Sequence, residues 1–467
     1  MLFNSWHFVA FLLVVLLAAS CLPRYGRAWK VFLVVASCYF YAQWSWKYLS
    51  LIALTATVDY VIARRLGTAA SPRRLIAASL CANLGVLAFF KYANFAIATA
   101  NGLGATAGAW LAIEPLDIIL PVGISFYTFQ NMSYTIDVYR GQLAPRTSPL
   151  DYAVFTTFFP QLLAGPIVRA SEFFGQLDHP RQVALRDLQY GLVLIATGYV
   201  KKVVFADNLA TGVDEAFTNP AATDPWMALF AVYAFAFQIY FDFSGYTDIA
   251  IGIALLFGFE FPRNFNYPYV ALSFQEFWRR WHMTLSRWLR DYLYVSLGGN
   301  RAGPSRTLAN LMLTMLLGGL WHGASWNFIL WGGLHGAYLV IERLLLSRLP
   351  GWNGPGRTAK AVRWLVVFHA VCFAWIFFRA ADLSTSLAMI GRIAAIAGAP
   401  FSREASGALP AFLAGLVALH FAMHRWNVKE RLAAVRAPAF AAYAGLAVLA
   451  LAWFTPFRSI PFIYFQF

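Results

Sequence analysis

Residues 307–342 read TLANLMLTMLLGGLWHGASWNFILWGGLHGAYLVIE. The run is almost wholly apolar, and basic residues bracket it: Arg301 and Arg306 before, Arg343 and Arg348 after. A bilayer crossing takes about 20 residues. A run of this length that leaves one basic loop and returns to another is therefore a short membrane hairpin. Its middle is residues 318–326 (GGLWHGASW), which hold His322. An ionisable group in such a segment is expensive and is a functional candidate by default. Glycines on both sides, Gly318, Gly319 and Gly323, permit close approach of backbone or substrate, and Trp321 and Trp326 can wall a site. An imidazole with a pKa near neutrality can take a proton from an attacking hydroxyl and return it to a leaving thiolate. A membrane histidine is also commonly a packing residue, and the hairpin by itself leaves both readings open. His335 would face another side of a continuous helix and reads as structural or supporting.

Working outward, the same chemistry covers the chain. Of 467 residues, 60% are hydrophobic and 12% charged, against about a quarter charged in soluble proteins. Lipid is the expected solvent. Apolar runs recur from residue 8 to residue 456, so residues 1–467 read as one all-α, polytopic membrane domain of about ten to twelve membrane segments. The first run lacks a basic leader before Phe8 and a small-residue cleavage site after it, so it reads as a retained span. Cys21, Cys38, Cys81 and Cys372 show neither metal nor disulfide spacing and read as small buried apolar residues; no metal and no tightly bound cofactor is expected.

The net charge of +15 records orientation rather than nucleic-acid binding, because basic and non-basic loops alternate. Arg24, Arg27 and Lys30 follow a span at 8–22, and Arg64, Arg65, Arg73 and Arg74 follow spans at about 31–44 and 48–66. A span at 75–95 leads to 96–117, which has no Lys or Arg. Residues 118–139 return to Arg140 and Arg146. The segment 152–168 has Pro160, Gly165 and Pro166 and basic residues on both sides, so it reads as re-entrant or membrane-lying. Residues 187–206 cross outward to an acidic loop at 207–225. Residues 226–260 return, interrupted at 242–245 (DFSG). The seven Arg and two acids of 263–306 mark a cytoplasmic segment. A last span at about 437–456 leaves the tail 457–467, like the N-terminus, outside a bacterial inner membrane.

Residues 274–295 carry a helical pattern. Phe274, Phe277, Trp278, Trp281, Leu285, Trp288, Leu289 and Tyr292 share one arc, and Arg279, Arg280, Arg287, Arg290, Glu276 and Asp291 lie opposite. This is an amphipathic interfacial helix with His282 at its apolar margin. Two readings of its arginines stand: anchors to lipid phosphate, or ligands for a phosphorylated donor such as coenzyme A. Gly-x-Ser-x-Gly, P-loop and His-Glu-x-x-His motifs are absent. Asp242 and Asp248 near the expected helix break would suit an ion in a transporter component.

Several motifs resemble the membrane-bound O-acyltransferase (MBOAT) family, in its alginate O-acetyltransferase branch. They are residues 158–166 (FFPQLLAGP), 264–269 (NFNYPY), 277–282 (FWRRWH), 288–294 (WLRDYLY), 297–301 (LGGNR) and 319–326 (GLWHGASW). The resemblance implies a helical bundle with a central tunnel, re-entrant segments and cytoplasmic amphipathic helices. It implies His322 as the catalytic histidine and His282 as a second polar residue that polarises the thioester or positions the acyl group. Arg279, Arg280, Trp281, Arg287, Arg290, Asn300, Trp321 and Trp326 become donor-binding or tunnel candidates. Acetyl-CoA is the implied donor, and a periplasmic SGNH-type O-acetyltransferase acting on a polysaccharide the implied partner. A D-alanyl-type enzyme with a carrier-protein donor is a related alternative. The last residues, 462–467 (FIYFQF), match a Phe-x-Tyr-x-x-Phe tail of cell-surface acylation systems. That match implies Tyr464 as an acyl carrier, with an interfacial aromatic anchor as the competing reading.

Overall fold

Lipid offers no partner to an exposed peptide group, so a chain this apolar must satisfy its backbone within helices. The computed structural model describes residues 1–108, 112–348, 354–402, 405–455 and 460–463; Tyr464 lies outside them. Every regular element among these residues is helical. Among the described residues, seven helices are long and apolar enough to cross a membrane: Pro72–Thr106, Leu185–Thr218, Pro225–Leu256, Trp326–Leu346, Arg357–Arg379, Ala408–Trp426 and Ala437–Phe454. Shorter apolar helices cover Trp6–Ser20 and Leu383–Gly398. The chain forms two compact units. One is Met1–Leu188 with Ile253–Pro262, and the other is Gln189–Gly252 with Arg263–Phe467.

The first unit is built on the re-entrant segment. Helices Pro149–Thr157, Phe159–Leu162 and Ala170–Asp178 are short, and residues 163–169 are non-helical. Side chains replace the missing helical partners. Ser37 Oγ accepts the Phe159 N–H at 3.1 Å, and Gln130 and Gln161 donate to the Phe155 carbonyl at 2.8 and 2.7 Å. Phe158 and Phe159 are fully buried, Phe158 against Phe257, Phe259 and Phe261 and Phe159 against Phe8, Phe11 and Phe40. At the edge of this segment Asp151 takes Lys30 at 2.7 Å and Arg146 at 2.6 Å, and Arg146 also holds Asp178.

In the second unit, two expectations change. Helix Pro225–Leu256 runs unbroken through 242–245. The glycine there is a crossing point, not a break. A Cβ on Gly245 would lie 2.8 Å from the Gly198 carbonyl oxygen, one on Gly198 2.6 Å from that of Gly245, and one on Gly252 2.5 Å from that of Gly191. Small residues one heptad apart on both helices let their backbones touch, as small-residue seams do in membranes. The neighbouring carboxylates are met sideways. Lys202 reaches Asp242 at 2.6 Å and Asp207 at 2.7 Å, while Asp248 takes Lys201 at 2.8 Å and Lys429 at 2.6 Å. Lys201 and Lys202 sit in a π-helical turn, Val200–Ala206, inserted between Leu185–Tyr199 and Asp207–Thr218. The stretch expected as an acidic loop therefore begins as helix.

The hairpin is present as two packed helices. Helix Pro304–His322 packs on Trp326–Arg348 with only residues 323–325 between them. A Cβ on Gly319 would lie 2.2 Å from the Phe328 carbonyl oxygen, and Gly319 and Gly332 face each other across the crossing. At Gly319 the close approach is to backbone, whereas Gly323 faces the Phe328 ring and Gly318 the Leu289 side chain.

Replacing Gly198 with Ala forces the helices apart at a backbone oxygen. Overpacking of this kind typically costs about 1–3 kcal/mol, so thermal unfolding in detergent should shift downward, while Gly212→Ala, where nothing lies within 4 Å, should leave it unchanged. Burial alone would raise the Asp151 pKa, but Lys30 and Arg146 outweigh it and hold the carboxyl below its ordinary value. A depressed folded-state pKa contributes stability above the unfolded value of about 3.9 and loses it as pH falls through the folded value. The acid-side drop in melting temperature should therefore be shallower in Asp151→Asn than in the parent protein.

Candidate active site

The amphipathic pattern of 274–295 does not form one helix. Phe274–Arg280 and Met283–Trp288 are helical, Trp281 is extended, and His282 is left-handed at φ 40°, ψ 54°. A turn of six residues, Leu289–Tyr294, continues as π-helix. The break has a cause in residues 264–266, which lie alongside it. Asn266 N–H donates to the Arg280 carbonyl at 2.9 Å, and Met283 N–H donates to the Asn264 carbonyl at 2.9 Å. The Asn264 carboxamide oxygen accepts from the Thr284 N–H at 3.2 Å and from Thr284 Oγ1 at 2.9 Å, and it lies 3.0 Å from His282 Nδ1. Helical hydrogen bonds across 281–284 are exchanged for this pairing. A strained left-handed histidine is the kind of outlier that clusters at functional sites.

The same oxygen fixes the imidazole. An oxygen that already accepts from Thr284 accepts from Nδ1–H too, so the lone pair of the neutral ring lies on Nε2. His282 is 0% exposed. Burial pushes its pKa down to about 3, which keeps the ring neutral across the physiological range. Its faces are covered by Phe243, edge-on at 4.7 Å, and by Trp321 at 6.0 Å.

His322 closes helix Pro304–His322 and is 4% exposed. Its ring centre lies 6.4 Å from that of His282. That spacing suits one reacting group held between two imidazoles better than a direct bond between them. The rings around His322 are Trp321 at 5.0 Å, Trp331 at 4.9 Å and Phe378 at 5.4 Å. Trp331 is edge-on to His335 on its other side, at 4.8 Å. His335 is fully buried against Phe277 and Trp278 as well, so it supports the wall of the site.

Beside the pair lies a cavity of about 610 Å³, within the range of small-molecule sites. Arg279, Arg287, Arg290, Arg343, Tyr294 and Asn300 line it, together with Trp278, Met283, Leu289 and Met315. Met283 follows His282 in the chain, and Trp278 is 5.8 Å from Trp331, the ring against His322. Two lining residues thus lead to the histidines, Met283 as the chain neighbour of His282 and Trp278 through Trp331 to His322. Its rim is the 297–301 loop, turned by Gly298 and Gly299 at positive φ and held by Asn310, which donates to the carbonyls of Leu297 and Gly299. Tyr294 donates to Asn300 at this rim.

The candidates from the sequence therefore separate. His282, His322 and Trp321 come together, and Arg279, Arg287, Arg290 and Asn300 line the cavity. Arg280 is held instead by Glu276 at 2.9 Å and by the Asn266 carbonyl at 3.0 Å. Trp281 is fully buried among Phe265, Phe277, Tyr269 and Trp375. Trp326 is 53% exposed at the start of its helix, and Trp331 and Phe378 stand where it was expected. Asn264 and Arg343 were not singled out in the sequence. Asn264 opens the 264–269 motif, and that position was its only signal.

A family model described as MBOAT, membrane-bound O-acyltransferase family, matches residues 141–380. The chain is 42% identical over 398 residues to a probable alginate O-acetylase of Azotobacter vinelandii, covering 83% of this chain and 77% of that one. It is 39% identical over 445 residues to a peptidoglycan O-acetyltransferase of Helicobacter pylori, covering 87% and 82%. It is also 28% identical over 283 residues to a teichoic acid D-alanyltransferase of Bacillus subtilis, covering 56% and 70%.

Removing the Asn264 oxygen releases the ring, so Asn264→Ala should lower turnover by about tenfold or more, the scale of a lost hydrogen bond at a buried group. Because His282 is already neutral, the position of any acid limb between about pH 5 and 8 should be the same in His282→Gln as in the parent enzyme. A pH–rate series on the two variants reads both outcomes.

Proposed function

This chain belongs to the membrane-bound O-acyltransferase family and is a multi-pass membrane O-acetyltransferase, and on that premise we propose that it moves acetyl groups from cytoplasmic acetyl-CoA to the outer side of a bacterial inner membrane. The supporting observation is the buried His282–His322 pair, 6.4 Å apart, behind an arginine-lined cavity. Arg279, Arg287, Arg290 and Arg343 are suited to the phosphates of coenzyme A. The apolar part of the lining, with Trp278, Met283, Leu289 and Met315, suits the pantetheine arm.

In the reaction, His322 removes the proton from an acceptor hydroxyl. The oxygen attacks the thioester carbonyl carbon while His282 Nε2 and its surroundings hold the acyl group in place. The C–S bond breaks as the C–O bond forms, and the thiolate takes the proton from His322, leaving as free coenzyme A. The acceptor is the phenol of Tyr464, whose pKa of about 10 makes a neighbouring base necessary. A periplasmic SGNH-type O-acetyltransferase then takes the acetyl from the tyrosyl ester and places it on an exported or cell-surface polysaccharide, alginate-like, cellulose or peptidoglycan. The N-terminus lies on that outer side, and the C-terminal tail enters from it.

The likeness to a D-alanyltransferase favours a second reading in which the donor thioester arrives on a carrier protein. An acidic carrier would then bind the arginine face, and free coenzyme A would not compete. The transporter reading needed Asp242 and Asp248 as ion ligands. Both carry lysine partners within 2.8 Å, which removes its motive.

The purified protein should release coenzyme A from acetyl-CoA, and His322→Ala should reduce that release to background. Arg287→Ala should raise the KM for acetyl-CoA about tenfold, the scale of one charge-assisted hydrogen bond, with little change in kcat. Mass spectrometry of the C-terminal peptide should find acetyl on Tyr464, absent in His322→Ala. Full activity in His322→Ala would sink the assignment.

A further inference from the structure

Residues 460–463 follow the last membrane helix and are not part of it, yet two of them, Phe462 and Ile463, are buried. Phe462 is 3% exposed and Ile463 4%. They meet helix Pro225–Leu256 near its middle. Asp242 lies 17 residues beyond Pro225, or roughly 26 Å along the axis at 1.5 Å per residue. At such depth a non-helical segment needs polar partners from the protein. The Ile463 N–H donates to Asp242 Oδ2 at 2.9 Å, and Lys202 Nζ donates to the Pro461 carbonyl at 3.4 Å. The other oxygen of Asp242 is held by Lys202 at 2.6 Å, and Lys202 is shared with Asp207. One carboxylate thus grips the cluster with one oxygen and the tail with the other.

Aromatic contacts carry the position inward. The Phe462 ring stacks on Tyr246 at 4.7 Å and 27°, and lies 5.5 Å from Phe243. Phe243 is the ring set edge-on to His282 at 4.7 Å. The tail is therefore two aromatic contacts from the histidine pair. A buried ion cluster is weak evidence for stability, since well-packed apolar residues often do as well. Its two tail-directed hydrogen bonds give it another use.

We infer that Asp242, braced by Lys202 and Asp207, is a positioning residue that docks the C-terminal segment 461–463 beside the histidine pair and so sets the acceptor half of the reaction. The inference rests on the reading of Tyr464, the next residue, as acyl acceptor. Docking acts on transfer from the thioester, not on donor binding. It requires the backbone N–H of residue 463 and not its side chain.

That requirement makes Ile463→Pro the test, since it deletes the N–H and leaves the ion cluster untouched, with Ile463→Ala as the variant that retains it. Ile463→Pro should cut acetylation of Tyr464 by about tenfold or more, with the KM for acetyl-CoA and the melting temperature unchanged, and Ile463→Ala should stay within about threefold of the parent protein. Equal transfer by the two variants would overturn the inference. So would an equal loss in both with a lowered melting temperature, which would make the segment a packing element. Docking is read separately with benzoylphenylalanine in place of Phe462 in the full-length protein. Photocrosslinks should map to the peptide containing Phe243 and Tyr246 and should fall in Asp242→Asn; crosslinks that never reach this helix would also overturn the inference. Intact crosslinks with no acetyl on Tyr464 in the parent protein would refute the acceptor assignment and leave the dock standing.

Discussion

In a chain solvated by lipid, a polar group that turns inward must find its partner within the same chain, and the architecture around the site follows from where those partners lie. Four buried groups show it. Asp59 is held by Ser79 and Asn83, Asp248 by two lysines, Asp242 by Lys202 and the tail, and His282 by Asn264. Each pairing joins elements distant in sequence. Each also fixes a register, because an unmatched charge or carboxamide at this depth costs far more than the pairing itself gains.

The buried histidine pair is the clearest product of that constraint. Residues 264–266 supply the hydrogen bonds that stop a helix at Trp281, and the stop turns His282 inward with a defined tautomer. His322 is placed by a different device, the glycine crossing of two hairpin arms, which brings a helix C-terminus to the same place. One histidine is set by polar pairing and the other by close packing. Both end up walled by aromatic rings, so water is scarce and the charge developed in acyl transfer is felt strongly.

Helix Pro225–Leu256 carries much of the organisation within a few residues. Asp242 receives the tail, Phe243 covers His282, Gly245 sets the crossing with Gly198, and Asp248 anchors Lys201 and Lys429. An uninterrupted helix makes this possible, since successive residues point to different sides and can address the tail, the site and the neighbouring helix at once. The arginine-lined cavity and the tail approach the histidines through different elements, an arrangement fit for a group transfer with donor and acceptor entering separately.

The amino-acid sequence by itself determined the solvent and the helical class, and it marked the hairpin and His322 as candidates. Apolar run length and the cost of an ionisable group in lipid are local properties, readable from one segment at a time. Arg279, Arg287 and Arg290 in the cavity lining were legible for the same reason, as one face of a periodic pattern, whereas Arg343 was not. The tertiary structure alone decided that 242–245 is a crossing and not a break, that the 274–295 pattern is cut at His282, that Trp331 and Phe378 stand where Trp326 was expected, and that Asn264 orients the second histidine. In each case the deciding partner lies elsewhere in the chain: Gly198 for Gly245, Lys202 for Asp242, Asn264 for His282. A glycine or an aspartate reads identically whether it opens a helix or seals it to a neighbour, and only the neighbour settles which.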